Sequence, residues 1–240
     1  MFSVFGLKQF LGYHHIDYAR QISAGEITQA QQIVFHPKGH VYGPLRLSAI
    51  PATNSEKEPT QEYWYLIRQA ATSEFVAGKR CLFFVRDPRD IIVSAYFSFR
   101  YSHRESTVPE IAERQRKSRA YLLSLSIDDY ALGYSSRLQE NFQLAAELIE
   151  NANEALLLRY EDMIEDWETF AERLSEFVPV KTGALEELRE RSRPKTVEEV
   201  GGHQRSGKTQ QFREHLSRVT LTQLNQTFAE TLVRFGYPSS

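Results

Sequence analysis

Two rhythms of apolar residues alternate along the chain. Residues 80–86 (RCLFFVR) form a short apolar run with no polar alternation, as expected of a strand covered on both faces of a parallel sheet. Asp87-Pro88 breaks the run, because Pro88 lacks a ladder donor and restricts Asp87. Asp90 is then placed to cap a helix beginning IIVSAYFSF. A second such run, residues 155–158, ends in Arg159-Tyr160-Glu161-Asp162. The helical rhythm puts Tyr63, Leu66, Ile67 and Ala70 on one face within residues 61–75. It recurs at Leu138, Phe142, Ala145 and Ile149, and at Trp167, Phe170, Leu174 and Phe177. Leu221, Leu224, Phe228, Leu232 and Phe235 predict one closing helix, with Gly236 just past its end.

Between these elements the pattern is weaker. Residues 2–12 read as a short apolar helix closing at Gly12, with His14 and His15 packed at its end. Residues 13–60 are rich in turn formers, with short strands expected at 33–36 and 40–42. Residues 104–120 are charged and predict a solvated helix or a mobile lid. Residues 191–212 read as an extended polar loop. No repeat and no dividing linker is visible, so the expectation is a single domain over 1–240 with a three-layer α/β fold.

Composition narrows the partners. A chain of 240 residues that is 41% apolar can bury one sizeable core. Its net charge of −2 provides no global field for nucleic acid, so an anion site must be built locally. The single cysteine, Cys81, excludes an intrachain disulfide framework and reads as a buried inert thiol. No stretch reaches the ~20 apolar residues of a membrane span, and no export signal is evident, so the expected location is the cytoplasm. No His, Asp or Glu cluster has metal-ligand spacing.

Three segments bear chemistry, each with a plain alternative. In Arg86-Asp87-Pro88-Arg89-Asp90, Arg86 stands at the carboxyl end of a strand, where ligands of open α/β sheets gather. Ser94 lies one helical turn beyond Asp90, so guanidinium and hydroxyl together suit a phosphate monoester. The alternative pairs Arg86 with Asp87 or Asp90 in a structural turn. In Leu158-Arg159-Tyr160-Glu161-Asp162, Tyr160 either flanks a nucleobase or caps the sheet end with its hydroxyl in water. In His203-Gln204-Arg205-Ser206-Gly207-Lys208, cations around a glycine make either an anion-binding loop or a mobile basic surface loop.

Taken together, the segments resemble the sulfotransferases that use 3′-phosphoadenosine 5′-phosphosulfate (PAPS). RDPRDIIVSAYFSF is similar to the family's strand–turn–helix for the 3′-phosphate, which implies that role for Arg86 and Ser94. LLLRYEDM resembles the second strand motif, which implies that Tyr160 lies near the adenine. RSGKTQQFREHL resembles the C-terminal loop Arg-x-Gly-x-x-Gly-x-Trp, which implies that Arg205, Ser206 and Gly207 also meet the 3′-phosphate. Gln210 stands where that loop usually has glycine, and Phe212 where it has tryptophan. The resemblance implies a P-loop-NTPase-like parallel sheet of four to five strands flanked by helices. It also implies transfer of a sulfuryl group from PAPS to a hydroxyl or amine, releasing adenosine 3′,5′-bisphosphate, with no metal. Charge then develops in a loose transition state that the protein positions and stabilises.

One departure stands out. The family's opening loop, Pro-Lys-Ser-Gly-Thr-like and gripping the 5′-phosphosulfate, has no counterpart before residue 12. Pro37-Lys38-Gly39 echoes it, but Pro44 follows too closely for a helix start. Residues 1–12 are therefore read as the remnant of the helix after that loop, in an N-terminally incomplete domain. The competing reading is a nucleotide-binding or partner-binding remnant without catalysis. A small kinase ranks last, since no Gly-x-x-x-x-Gly-Lys-Ser/Thr loop is present. For the general base the first choice is His40 and the second His103. The acceptor is left open among small molecules and glycans, and the oligomeric state is not readable.

Overall fold

The computed structural model describes residues 14–16, 21, 26, 40–42, 76–102, 105, 109–180, 183–193 and 207–239. Its strands are β1 (His14–Ile16), β2 (His40–Tyr42), β3 (Arg80–Val85) and β4 (Glu154–Arg159). Helices α1 (Pro88–Phe97), α2 (Pro109–Ser124) and α3 (Ile127–Asn151) follow β3, with a π-helical turn at Ser98–Ser102. After β4 come α4 (Tyr160–Glu165), α5 (Trp167–Phe177) and α6 (Ala184–Ser192). The chain ends in α7 (Phe212–His215), α8 (Arg218–Thr227) and α9 (Ala229–Phe235). The described residues fall into two compact units. The first holds those up to Val85 and from Leu144 to Arg193; the second holds those from Arg86 to Gln143 and from Gly207 onward.

In the first unit β3 and β4 pair in parallel, with Arg80 opposite Glu154 and Val85 opposite Arg159. Successive strand residues face opposite ways. Leu82, Phe84, Leu156 and Leu158 therefore meet one cluster, completed by Tyr160, Met163, Phe170, Leu174 and Leu188. Cys81 and Phe83 meet another, around Val76 and Leu148. Each face of the sheet thus carries an apolar cluster, although residues 81–84, Leu156 and Leu157 are only half-buried and Ala155 is exposed. At the sheet's far end Arg80 makes a two-pronged bond to Glu154, at 2.7 and 2.6 Å. Phe170 and Leu174, both fully buried, anchor α5, each contributing about 1.5–3 kcal/mol. Cys81 is half-buried, and burial raises its thiol above its usual range despite nearby Lys79. A separate parallel pair joins β1 to β2, with His14 opposite His40. His14 and His15 stand in a strand, and the helix expected before them lies outside the described residues.

In the second unit Leu138 and Phe142 are buried, as their spacing on α3 predicts; in the first unit Ala145 of the same stripe is buried and Ile149 half-buried. Phe142 meets Phe235 edge-on, with centroids 5.3 Å apart. The closing stripe holds, but it spans two helices. Phe228 leaves helical geometry (φ −96°, ψ 11°) between α8 and α9. Leu224, Phe228 and Leu232 nonetheless stay fully buried, so the core tolerates the break. Gly236 is left-handed (φ 73°), and Tyr237 N–H donates to Leu232 O at 2.8 Å, ending the last helix as glycine caps do. The charged stretch folds as the mostly exposed α2. The sheets found among the described residues are two-stranded, and most of the other described residues are helical. No helix of these residues is long and apolar enough to cross a membrane.

Candidate functional site

The turn after β3 is built on two buried carboxylates with separate duties. Asp87 caps α1, accepting from Arg89 N–H at 2.9 Å, and Pro88 occupies the first turn. This corrects the expectation that Asp90 caps the helix. Pro88 lacks an N–H that a first helical residue would leave unused, and its fixed φ already suits the helix, so α1 starts there.

Asp87 also holds Arg89, which is fully buried. Arg89 Nε and Nη2 donate to the two Asp87 oxygens at 3.0 and 2.7 Å. Its remaining reach goes to distant parts of the second unit: Nη1 to Asn225 Oδ1 and Nη2 to Pro238 O, each at 2.8 Å. The guanidinium also lies 4.1 Å from the centroid of the Phe212 ring.

Asp90, fully buried in the first turn of α1, serves the other cation. Its Oδ2 lies 3.4 Å from Arg86 Nη2, and its Oδ1 accepts from Phe212 N–H at 3.1 Å. Burial raises its pKa above the ordinary aspartate range; Arg86 and the Phe212 N–H oppose that shift, while neighbouring Asp87 adds to it. Arg86 keeps 17% of its side chain exposed. Its Nη2 donates to Lys208 O at 2.9 Å, a contact between residues 122 positions apart. Ser94, half-buried, is four residues beyond Asp90 and so shares its helix face.

The C-terminal loop reaches this turn in an ordered conformation. Gly207 is left-handed (φ 72°), a backbone state open to glycine and strained for most other residues. Lys208 O accepts a second hydrogen bond, from Gln211 Nε2 at 2.8 Å. Gln211 and Phe212 are buried. Gln210 also takes a positive φ, 55°, at the position where the resembled loop has glycine. Residues 207–212 thus form a docked segment.

The other predicted site residues are placed differently. Tyr160 opens α4 and is buried in the first unit, its ring edge-on to Phe84 with centroids 6.4 Å apart. Before it, Arg159 forms a close ion pair with Asp162, a local contact three residues apart. His40 opens β2. His103, Arg205 and Ser206 lie outside the described residues, as do the expected helices over 2–12 and 61–75, the strand at 33–36 and the Pro37-Lys38-Gly39 stretch. Sequence reasoning passed over Arg89, whose alternation with two aspartates in RDPRD was the available signal.

With this geometry in view, residues 76–236 match the family model described as a sulfotransferase domain, which is more than half of the chain. The chain belongs to the sulfotransferase family. The matched span takes in both strand–turn–helix segments and the docked C-terminal loop of this sulfotransferase domain. No curated protein and no solved structure matches the chain. Among the described residues, no group of three His, Cys, Asp or Glu side chains is placed to hold a metal ion.

Proposed function

We propose that this sulfotransferase moves a sulfuryl group from PAPS to a hydroxyl or amine acceptor, a small molecule or a glycan, and releases adenosine 3′,5′-bisphosphate. The observation that carries the reading is the 2.9 Å contact of Arg86 with the Lys208 carbonyl. It supports a single anion site to which both motif segments contribute. The residues present suit the bisphosphate end of the nucleotide: a partly exposed guanidinium, a hydroxyl on the adjoining helix face, and a left-handed glycine that opens backbone N–H groups. When bound, PAPS supplies the sulfuryl group.

Each residue then has a defined task. Arg86 and Ser94 bind and orient the 3′-phosphate, with Arg205, Ser206 and Gly207 completing its shell. Tyr160 is assigned to the adenine by its motif, and its ring already packs edge-on against Phe84. His40 removes the acceptor's proton, with His103 as the alternative base. The sheet of this reading has four to five parallel strands in a three-layer α/β/α arrangement, and no metal takes part. The expected setting is cytoplasmic.

Calorimetry with adenosine 3′,5′-bisphosphate against adenosine 5′-phosphate tests the reading. A clear preference for the bisphosphate is the expected result, and equal affinities overturn it. PAPS turnover then decides catalysis. Binding without turnover would leave the chain a nucleotide-binding member of its family.

A further inference from the structure

Phe212 is held at two points by the same turn. Its backbone N–H donates to Asp90, and its ring lies under Arg89. Asp90 reaches the other way to Arg86. One carboxylate therefore links the proposed phosphate-binding cation to the loop that closes over it, and each of its oxygens has a different partner 122 or 4 residues away. Full burial of such a group is costly unless both oxygens are matched. A capping duty does not account for its position, because Asp87 fills that role.

We propose that Asp90 is the positioning residue of the site: it aims the Arg86 guanidinium and fixes the docked loop at Phe212, so that discrimination for the 3′-phosphate depends on it although it does not touch the nucleotide. This rests on the reading above. A carboxylate on one edge of a guanidinium fixes the plane of the fork, which decides whether the remaining N–H groups meet two phosphate oxygens or one. Fastening Phe212 sets where Gly207 and Lys208 present their backbone. An amide at position 90 keeps the shape and an acceptor for Phe212 N–H, yet removes the charge that holds the guanidinium.

The test compares wild type with Asp90→Asn and Asp128→Asn. Asp128 Oδ1 accepts from Ser217 N–H at 3.0 Å, so it also ties the C-terminal segment through a backbone N–H, but it is not part of the site. Calorimetry should show the bisphosphate-over-monophosphate preference falling at least about tenfold in Asp90→Asn, a change of ~1.4 kcal/mol. Asp128→Asn should keep the full preference. A full preference in folded Asp90→Asn overturns the positioning role and leaves the sulfotransferase reading standing. No preference in wild type overturns both. Loss in both variants also overturns it, since any tie on the segment would then serve.

A measurement on wild type covers the case in which Asp90→Asn does not fold. Hydrogen exchange at the Phe212 amide should slow more with the bisphosphate than with adenosine 5′-phosphate, because the Arg86–Asp90–Phe212 chain tightens only when the 3′-phosphate engages Arg86. Equal protection by the two nucleotides counts against the proposal.

Discussion

Two parallel strands of this molecule each lead through an arginine-bearing turn into a helix, and the two turns are wired differently. After β3, the side chains of RDPRD reach across the sequence. Arg86 reaches Lys208, Asp90 reaches Phe212, and Arg89 reaches Asn225 and Pro238, with separations of 122 to 149 residues. After β4, Arg159 is satisfied three residues away by Asp162, and Arg173 comes back to the Leu157 carbonyl at 2.8 Å. Tyr160 of that turn packs in an apolar cluster. The same strand–turn–helix grammar thus makes a hub in one place and a local closure in the other. Both turns contain local ion pairs; what separates them is that those of the first turn are more deeply buried and their side chains bond distant groups as well.

The contrast is widest in stability. Arg89→Ala should destabilise the fold by about 3–5 kcal/mol, because it leaves the Asp87 carboxylate buried without its cation. Arg159→Ala removes a pair with 33% of the arginine side chain exposed and should cost about 1 kcal/mol or less. Urea denaturation of the two variants measures both. Equal losses would erase the distinction between hub and closure.

The next effect is on binding. Arg86→Ala should weaken adenosine 3′,5′-bisphosphate by about 10- to 150-fold, the range of one charge-assisted contact worth roughly 1.5–3 kcal/mol. Binding of adenosine 5′-phosphate should change little. Arg159→Ala should leave both affinities unchanged by calorimetry. A matching loss in Arg159→Ala would move the proposed site away from the first turn.

Much of this was legible in the chain, for identifiable reasons. The unalternating runs at 80–86 and 155–158 gave both strands, because covering on both faces demands that pattern. The stripe from Leu221 to Phe235 gave the closing core residues, but not the break at Phe228, since apolar spacing continues through it. Asp90 was misassigned as a cap. A capping aspartate and a buried structural one look alike until the partner is known, and the partner is the Phe212 amide, 122 residues away. Backbone partners such as the Lys208 carbonyl carry no residue signature at all. The docked loop was half legible: Gly207 announced a left-handed position, whereas Gln210 concealed one.

That concealed position allows a smaller test of the hub. A left-handed conformation costs an ordinary residue roughly 1–2 kcal/mol. Gln210→Gly should recover part of it, less the entropy that glycine adds to the unfolded chain, for a net gain of about 0.5–1 kcal/mol. It also gives up the exposed bond from Arg213 Nε to Gln210 Oε1. Gln210→Ala loses that bond without relieving the backbone, so it should be less stable than wild type. The two variants therefore move in opposite directions in thermal unfolding if the strain is real. A shared direction would mean that the side-chain bond, and not the backbone, governs the loop.

The smallest expected effect is the pH signature of Asp90. Its pKa is raised in the folded state, since burial outweighs the help from Arg86 and the Phe212 N–H. In the window between the ordinary aspartate value and the raised one, the folded chain binds more protons than the unfolded chain. Stability from this group is therefore fully present below the unfolded value and is lost as pH rises through the folded one. Asp90→Asn carries no such titration. The unfolding temperature of wild type relative to Asp90→Asn should shift in favour of wild type as the solution is acidified from neutral toward the ordinary aspartate range, then level off. The opposite slope would mean that Arg86 and the Phe212 N–H outweigh burial and lower the pKa below the ordinary aspartate value. Asp90 would then be stabilised chiefly by its ion pair, and the two turns would differ in the reach of their contacts and not in the cost of burying a carboxylate.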